Sequence, residues 1–296
     1  MVFQKLNINA TIRLLWRLLL IITFSLFTIF LVLYNFEHES LLKKEYGNNI
    51  VLAFLKWGKG FLLLNWGDVV ATGQTLVLFQ GDGNTIGVLS YVFNTFLYGI
   101  GGLLISFSLS TVLTYKSVFD HSTTAKVISD FFNFLSGIHI ILFCFILKIV
   151  LGHESGFHLF ILIAIAIGSY TYSDISQYQI SQFHNLKTAD FIIAARAWGD
   201  SVFKHAQRSI AIGLLSQWNS LMGIVFSSTI IIEYFFKVHG IGFAIDRYLI
   251  GPNLKNPSLP VESNFFMIIS TLVIITVVMI SGIKEILHEK LSKNQQ

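Results

Sequence analysis

Charged residues are scarce along this chain, and the gaps between them are as long as membrane spans. Arg17 and Glu37 enclose 19 uncharged residues, Asp130 and Lys148 enclose 17, and Glu154 and Asp174 enclose 19. Arg208 to Glu233 encloses 24, and Glu262 to Lys284 encloses 21. The longest gap, 33 residues from Asp82 to Lys116, has its apolar part at 93–115. A helix needs about 20 mainly apolar residues to cross the hydrocarbon core. The pattern predicts six transmembrane helices, at 13–36, 93–115, 127–151, 157–179, 210–235 and 263–284. Their backbones must be helical, because lipid offers no hydrogen-bond partners. The first run is longer than a signal-peptide core and no A-x-A site follows Tyr34 or Asn35, so it reads as a retained anchor.

Lysine and arginine set the orientation. With residues 1–12 inside, the cytoplasmic segments hold 12 cations: Lys5, Arg13, Arg17, Lys116, Lys126, Lys187, Arg196, Lys204, Arg208, Lys284, Lys290 and Lys293. The opposite side holds 7, and the bias puts both termini, including the tail 285–296, in the cytoplasm. The long segments 37–92 and 236–262 then lie outside, and the longest inner loop is 180–209. Trp57, Trp66 and the run Phe61–Leu64 make 37–92 read as an interfacial segment anchored by aromatics. Gly81-Asp82-Gly83-Asn84 is a turn signal, with too few oxygen ligands for calcium.

Composition agrees with that pattern. Hydrophobic residues make up 54% of the 296 and charged ones 12%, about half of what a soluble domain carries. A soluble enzyme and a disordered chain are both excluded. The net charge of +4 is spread along the chain, which argues against a nucleic-acid partner and leaves the lipid bilayer as the surroundings. The one cysteine, Cys144, cannot form an internal disulfide or a cysteine-rich metal site.

The inner loop has a pattern of its own. Asp190-Phe-Ile-Ile-Ala-Ala-Arg-Ala-Trp-Gly199 reads as a short helix with small residues on one side. Gly199 can end it in the left-handed conformation, and Asp200 or Ser201 can cap a second helix. Two readings follow: a compact helical hairpin that a partner surface approaches closely, or an amphipathic interfacial loop that holds cations near head groups.

These residues also carry a likeness. Asp190-Phe-x-x-x-Ala195-Arg196-Ala197-x-Gly199 resembles the "D-Y-V-x-x-A-R-A-K-G" form of the EAA loop in ABC importer permeases of the oligopeptide, dipeptide and nickel group. His205-Ala206-Gln207-Arg208 is similar to that family's "H-A-L-R". Ile230-Ile231-Ile232-Glu233-Tyr234-Phe235-Phe236 resembles its "V-V-V-E-x-x-F", and Gly240-Ile241-Gly242 its "P-G-L-G". Asn94-Thr95-Phe96-Leu97 resembles the "T-L-x-L" that opens the second span, and Asn65-Trp66-Gly67-Asp68 sits where the family has "G-D-x-G". The order holds from about residue 10 to about residue 287, and the long segment after span one resembles the first-permease type. Some positions depart from the pattern. Trp198 replaces a lysine, His239 stands at a proline position, and the stretch from Gly199 to His205 is shorter by about one helical turn.

The resemblance implies an all-α integral membrane protein with six transmembrane helices in a type I ABC importer permease (MetI-like) bundle. It implies a transmembrane permease subunit of an ATP-driven importer that forms half of a pathway for peptides or a similar small solute. Its partners would be a second permease subunit, two ABC ATPase subunits and an extracytoplasmic solute-binding protein, at a bacterial inner membrane. The chain itself would hold no cofactor or metal and no catalytic site; ATP and Mg would bind in the ATPases. Asp190, Ala194, Ala195, Arg196, Gly199, His205 and Arg208 would form the coupling loop, with Ala194, Ala195 and Gly199 in closest contact. Glu233, Gly240 and Gly242 are candidates for a gate or pathway, although Glu233 at a helix end can also simply reach water. His139 reads first as a buried histidine inside span three. Gly99, Gly101 and Gly102 with Ser106 and Ser108 read as a close-packing face of span two.

Other classes find less support. His288-Glu289 lacks the second histidine of H-E-x-x-H, and no G-x-S-x-G occurs. No internal repeat supports a secondary transporter. A permease-like protein without transport activity, acting as an assembly or signalling partner, remains as the alternative.

Overall fold

The computed structural model describes residues 8–36, 46–69, 74–79, 85–151, 157–250 and 263–293. Its helices are α1 (Ile8–Phe36), α2 (Ile50–Leu62), α3 (Val88–Val118), α4 (Thr123–Ser136) and α5 (Ile140–Leu151). They continue with α6 (Phe157–Lys187), α7 (Asp190–Ala197), α8 (Val202–Phe236), α9 (Ile241–Ala244) and α10 (Ser263–Lys293). A π-helical turn, Ile245–Ile250, follows α9 directly. Three short strands, β1 (Asp68–Val69), β2 (Gln74–Val77) and β3 (Thr85–Gly87), lie between α2 and α3.

The fold is that of a helical membrane protein. Among the described residues three helices are long and apolar enough to span: Leu18–Asn35 in α1, Val88–Val118, and Asn264–Leu291 in α10. Two bent pairs raise the number to five if each counts as one span. The expected span 127–151 is one of them, because α4 and α5 meet at 105° across Gly137–His139. The last amides of α4 are closed locally, Gly137 N–H on Phe134 O at 3.1 Å and Ile138 N–H on Leu135 O at 3.0 Å. His139 then starts a new helix, its Nδ1 accepting from Ile141 N–H at 3.4 Å. The expected buried histidine is thus an exposed helix cap. The second bend, 61°, divides α8 between Trp218 and Ser220. The turn signal at 81–84 lies outside the described residues.

The chain forms two compact units, each described by itself. The first comprises Met1–Asn94 and Lys237–Ile283. Its core joins Phe30 and Tyr34 of α1, Ala53 and Trp57 of α2, and Met267 of α10. The tryptophans expected to anchor at an interface are buried instead. Trp57 stacks on Phe61 at 5.6 Å and Phe61 on Trp66 at 5.6 Å, while Trp66 Nε1 donates to Phe61 O. In the sheet β1 runs antiparallel to β2, and β2 runs parallel to β3 with Leu76 opposite Ile86. Both of these residues are buried. Sequence periodicity had not marked strands of two to four residues, which are too short to show alternation.

The second unit comprises Thr95–Phe236 and Lys284–Gln296. Helices α3 and α6 run side by side in the same direction, as three levels of contact show. At the first, a Cβ on Gly102 would lie 2.5 Å from Ile167 Cγ2, and one on Gly168 would lie 3.0 Å from Gly102 O. At the second, the buried Gln179 accepts from Ser110 Oγ at 2.6 Å and donates to Thr111 Oγ1 at 2.8 Å. At the third, Lys187 Nζ donates to Val118 O at 3.4 Å. Helix α4 packs on the same α6, with Tyr172 OH donating to Ser129 Oγ at 2.9 Å and Ser176 Oγ to Asn133 Oδ1 at 3.2 Å. Gly99 gives the same kind of close approach to α8, where its Cβ would lie 3.0 Å from Val225 Cγ1.

Gly102→Val should therefore lower the thermal stability of the detergent-solubilised chain, by about 1–3 kcal/mol from overpacking. Gly223→Ala, a helix-interior position where an added Cβ has nothing within 4 Å, should not lower stability and should raise it by up to about 1 kcal/mol. Equal melting of both variants would contradict the close α3–α6 crossing.

Candidate functional site

The inner loop expected at 180–209 is almost wholly helical. Helix α6 continues to Lys187, α7 covers Asp190–Ala197, and α8 starts at Val202. Only 188–189 and 198–201 are non-helical. Helix α7 begins at Ala189, which makes no side-chain cap, with Asp190 in the first turn where a negative charge suits the helix dipole. It ends in a Schellman motif. Asp200 N–H reaches back to Ala195 O at 2.9 Å, and Gly199 N–H to Arg196 O at 3.1 Å. Gly199 takes φ +72, and a Cβ there would meet nothing within 4 Å. The glycine thus serves the left-handed turn and is not packed against the described residues of the chain.

Beyond the turn, Asp200 organises the entry to α8. Its Oδ1 accepts from Ser201 N–H at 2.8 Å and its Oδ2 from His205 Nε2 at 2.8 Å. The His205 hydrogen bond, aided by the Ser201 amide, holds the Asp200 carboxyl below its ordinary value. The carboxylate is therefore in place at any neutral pH.

The hairpin rests on the ends of three long helices. Ile192 packs with Val118 of α3, Phe183 and Leu186 of α6, and Ala206 and Ile210 of α8. Aromatic rings stiffen this seat: Phe119 meets Phe183 at 5.6 Å, and Tyr115 meets Phe203 at 5.2 Å. The Arg196 guanidinium lies over the Phe119 ring, 5.1 Å from its centre. Ile192 and Ala195 are the buried residues of α7, while Phe191, Ile193 and Trp198 point outward, Trp198 with 86% of its surface exposed.

This sorts the sequence candidates. Asp190, Ala194, Arg196, Gly199 and His205 are exposed on one hairpin. Ala195, expected to be in close contact with a partner, is buried within the chain. Arg208 lies in the first turns of α8, with its side chain outside the described residues. The sequence reading missed Phe191, Ile193 and Trp198 as outer-face residues, as well as Asp200 as the partner of His205. The signal available was Trp198, an aromatic on a polar turn.

Glu233 does not reach water within the chain. It is fully buried and its Oε2 accepts from Thr95 Oγ1 at 2.8 Å. Gly240 and Gly242 belong to the other unit. Gly240 is extended at the start of α9, and both glycines are buried. Beside them His239 lies 3.3 Å from Ser90 Oγ and packs its ring on Tyr91 at 4.2 Å. Burial, then the positive Arg247, pushes the His239 value below the usual histidine range. No cluster of three or more histidine, cysteine, aspartate or glutamate residues suited to a metal occurs among the described residues.

No protein-family model matches this chain, and no curated protein matches it in sequence.

Two outcomes check the geometry. Gly199→Val places a β-branched residue at φ +72 and should speed amide hydrogen exchange across 195–200, with Gly199→Asn less affected. Equal exchange in both variants and the parent would contradict the turn. His239 favours its neutral form, so its contribution to folding is full above pH 6.5 and is lost as pH falls through the lowered value. His239→Gln should remove that part of the acid sensitivity, read from melting temperature against pH.

Proposed function

We propose that this chain is the transmembrane permease subunit of an ATP-driven ABC importer. It would supply half of the pathway for peptides or a similar small solute in a type I, MetI-like bundle of six transmembrane helices. A second permease subunit would complete the pathway, two ATPases would dock on its inner face, and a solute-binding protein would deliver cargo from outside. ATP and Mg would bind in the ATPases. The observation that carries this reading is the α7–α8 hairpin. Its inner residue Ile192 is packed on three helix ends, Ala195 is buried beside it, and its outer side exposes Phe191, Ile193 and Trp198 among the charges of Asp190 and Arg196.

Such a part has a mechanical use. A partner that closes and opens with ATP can push on the outer face, and the seat passes the displacement to α3, α6 and α8 together. The change in the pathway is then a shift between two packed arrangements biased by the partner. Glu233, buried near the end of α8, is the candidate gate, since a carboxylate kept from water is costly and an ionisable residue in a span is commonly functional. Asp190 and Arg196 would orient or dock the loop at the ATPase, with His205 and Arg208 on its second helix.

The test is a cysteine crosslink from Trp198→Cys in a Cys144→Ala background, made in native membranes and identified by mass spectrometry. An ATPase should be the main adduct. Gly199→Val should cut solute-stimulated ATP hydrolysis by about tenfold, equal to ~1.4 kcal/mol in activation free energy. Crosslinks without an ATPase, or solute uptake driven by an ion gradient with ATP depleted, would remove the proposal.

A further inference from the structure

Helix α2 suits neither water nor the middle of a bilayer. It has 13 residues, about 20 Å of helix, against a hydrocarbon core of about 30 Å. It cannot span. Its inner face packs on α1, with Phe54 ring centres 5.3 Å from Phe27 and 5.4 Å from Phe30, and Trp57 6.2 Å from Phe30. Its outer face is largely apolar and, among the described residues, exposed. Val51, Leu52, Leu55 and Leu62 are each more than half exposed. Two exposed lysines, Lys56 and Lys59, lie among them, and the helix contains no acidic residue.

The contacts with α1 fix the depth. Phe27 and Phe30 lie eight and five residues before Asn35, where the apolar window of α1 ends, which is about 12 and 8 Å along the axis. Helix α2 is therefore tied to the outermost turns of a span. The lysines exclude a position deep in the hydrocarbon, and the exposed leucines make water unfavourable. The boundary between head groups and acyl chains satisfies both, with leucines inserted and lysine stems reaching outward.

The end of α2 points the same way. It closes in a second Schellman motif, with Asn65 N–H on Gly60 O at 3.0 Å and Leu64 N–H on Phe61 O at 3.1 Å. At the position that Gly199 holds in the hairpin stands Leu64, with φ +57. A leucine is strained there, and it is exposed together with Leu63. Strain and exposed apolar surface coincide at one tip, which lipid would cover.

We propose that α2 and the Leu62–Leu64 tip form an interfacial anchor that binds anionic phospholipid head groups in the leaflet where α1 ends. Lys56 and Lys59 supply the charge complementarity. The anchor holds whether or not the chain serves a transporter.

The full chain, with Cys144→Ala and a spin label on Leu55→Cys or Leu62→Cys, is placed in phosphatidylcholine nanodiscs with and without phosphatidylglycerol. Both labels should be more accessible to oxygen than to a water-soluble nickel chelate. By native mass spectrometry the unlabelled chain should retain phosphatidylglycerol over phosphatidylcholine. Lys56→Gln with Lys59→Gln should reduce that preference by about fivefold per lysine, and the two arginine variants should restore it. Labels open to the chelate would place α2 in water. Labels shielded from both reagents would mean that a second copy or another protein covers the face. An unchanged lipid preference in the glutamine variant would remove the anionic ligand. Each of these overturns the proposal.

Discussion

The crossing of α3 and α6 at Gly102 and Gly168 is the contact on which the second unit depends. With no Cβ between them the two backbones meet closely, and the helices then run together for the rest of their length. Gln179 ties them midway through two hydroxyls, and an interhelical hydrogen bond of this kind contributes about 0.6–2 kcal/mol in a membrane. The ends at Val118 and Lys187 arrive side by side as a result. That is what makes a seat for α7. A larger residue at 102 would separate the helices near their middle and so displace the platform some 24 Å away, at 1.5 Å per residue.

The seat also decides which face of α7 is used. Ile192 and Ile193 are adjacent and chemically alike, yet one is fully buried and the other more than half exposed. Nothing in the order of residues separates them, because the choice belongs to the three helix ends beneath. The same holds for Ala194 and Ala195, of which the sequence marked both as contact residues. What was legible was the turn: Gly199, followed by an aspartate, marks a left-handed helix end wherever it occurs.

The long elements were legible for a similar reason. Uncharged gaps of 17–33 residues leave little but spans, and Phe36 of α1 and Ser263 of α10 fall at the edges of their gaps, although both helices run on past the gap at the other end, to Ile8 and Lys293. The failures are local. The gap from Asp130 to Lys148 reads as one helix, but Ser136-Gly137 ends it and His139 caps another, without the proline that normally announces a break. The small sheet escaped because its strands hold two to four residues and draw their register from partners, not from alternation. Trp57 and Trp66 read as interfacial by type, whereas their rings lie in a stacked column and only the opposite face of α2 is exposed.

The Schellman closure of α7 has a mechanical side. Backbone hydrogen bonds at Gly199 and Asp200, with the Asp200–His205 contact just beyond, leave few torsions between α7 and α8 to absorb load. The hairpin is thus a stiff crank and not a spring. A push on Trp198 would act on α8 with little lost travel, along a helix whose axis turns by 61° between Trp218 and Ser220. That change of direction comes about 25 Å along α8 from its first residue, at 1.5 Å per residue.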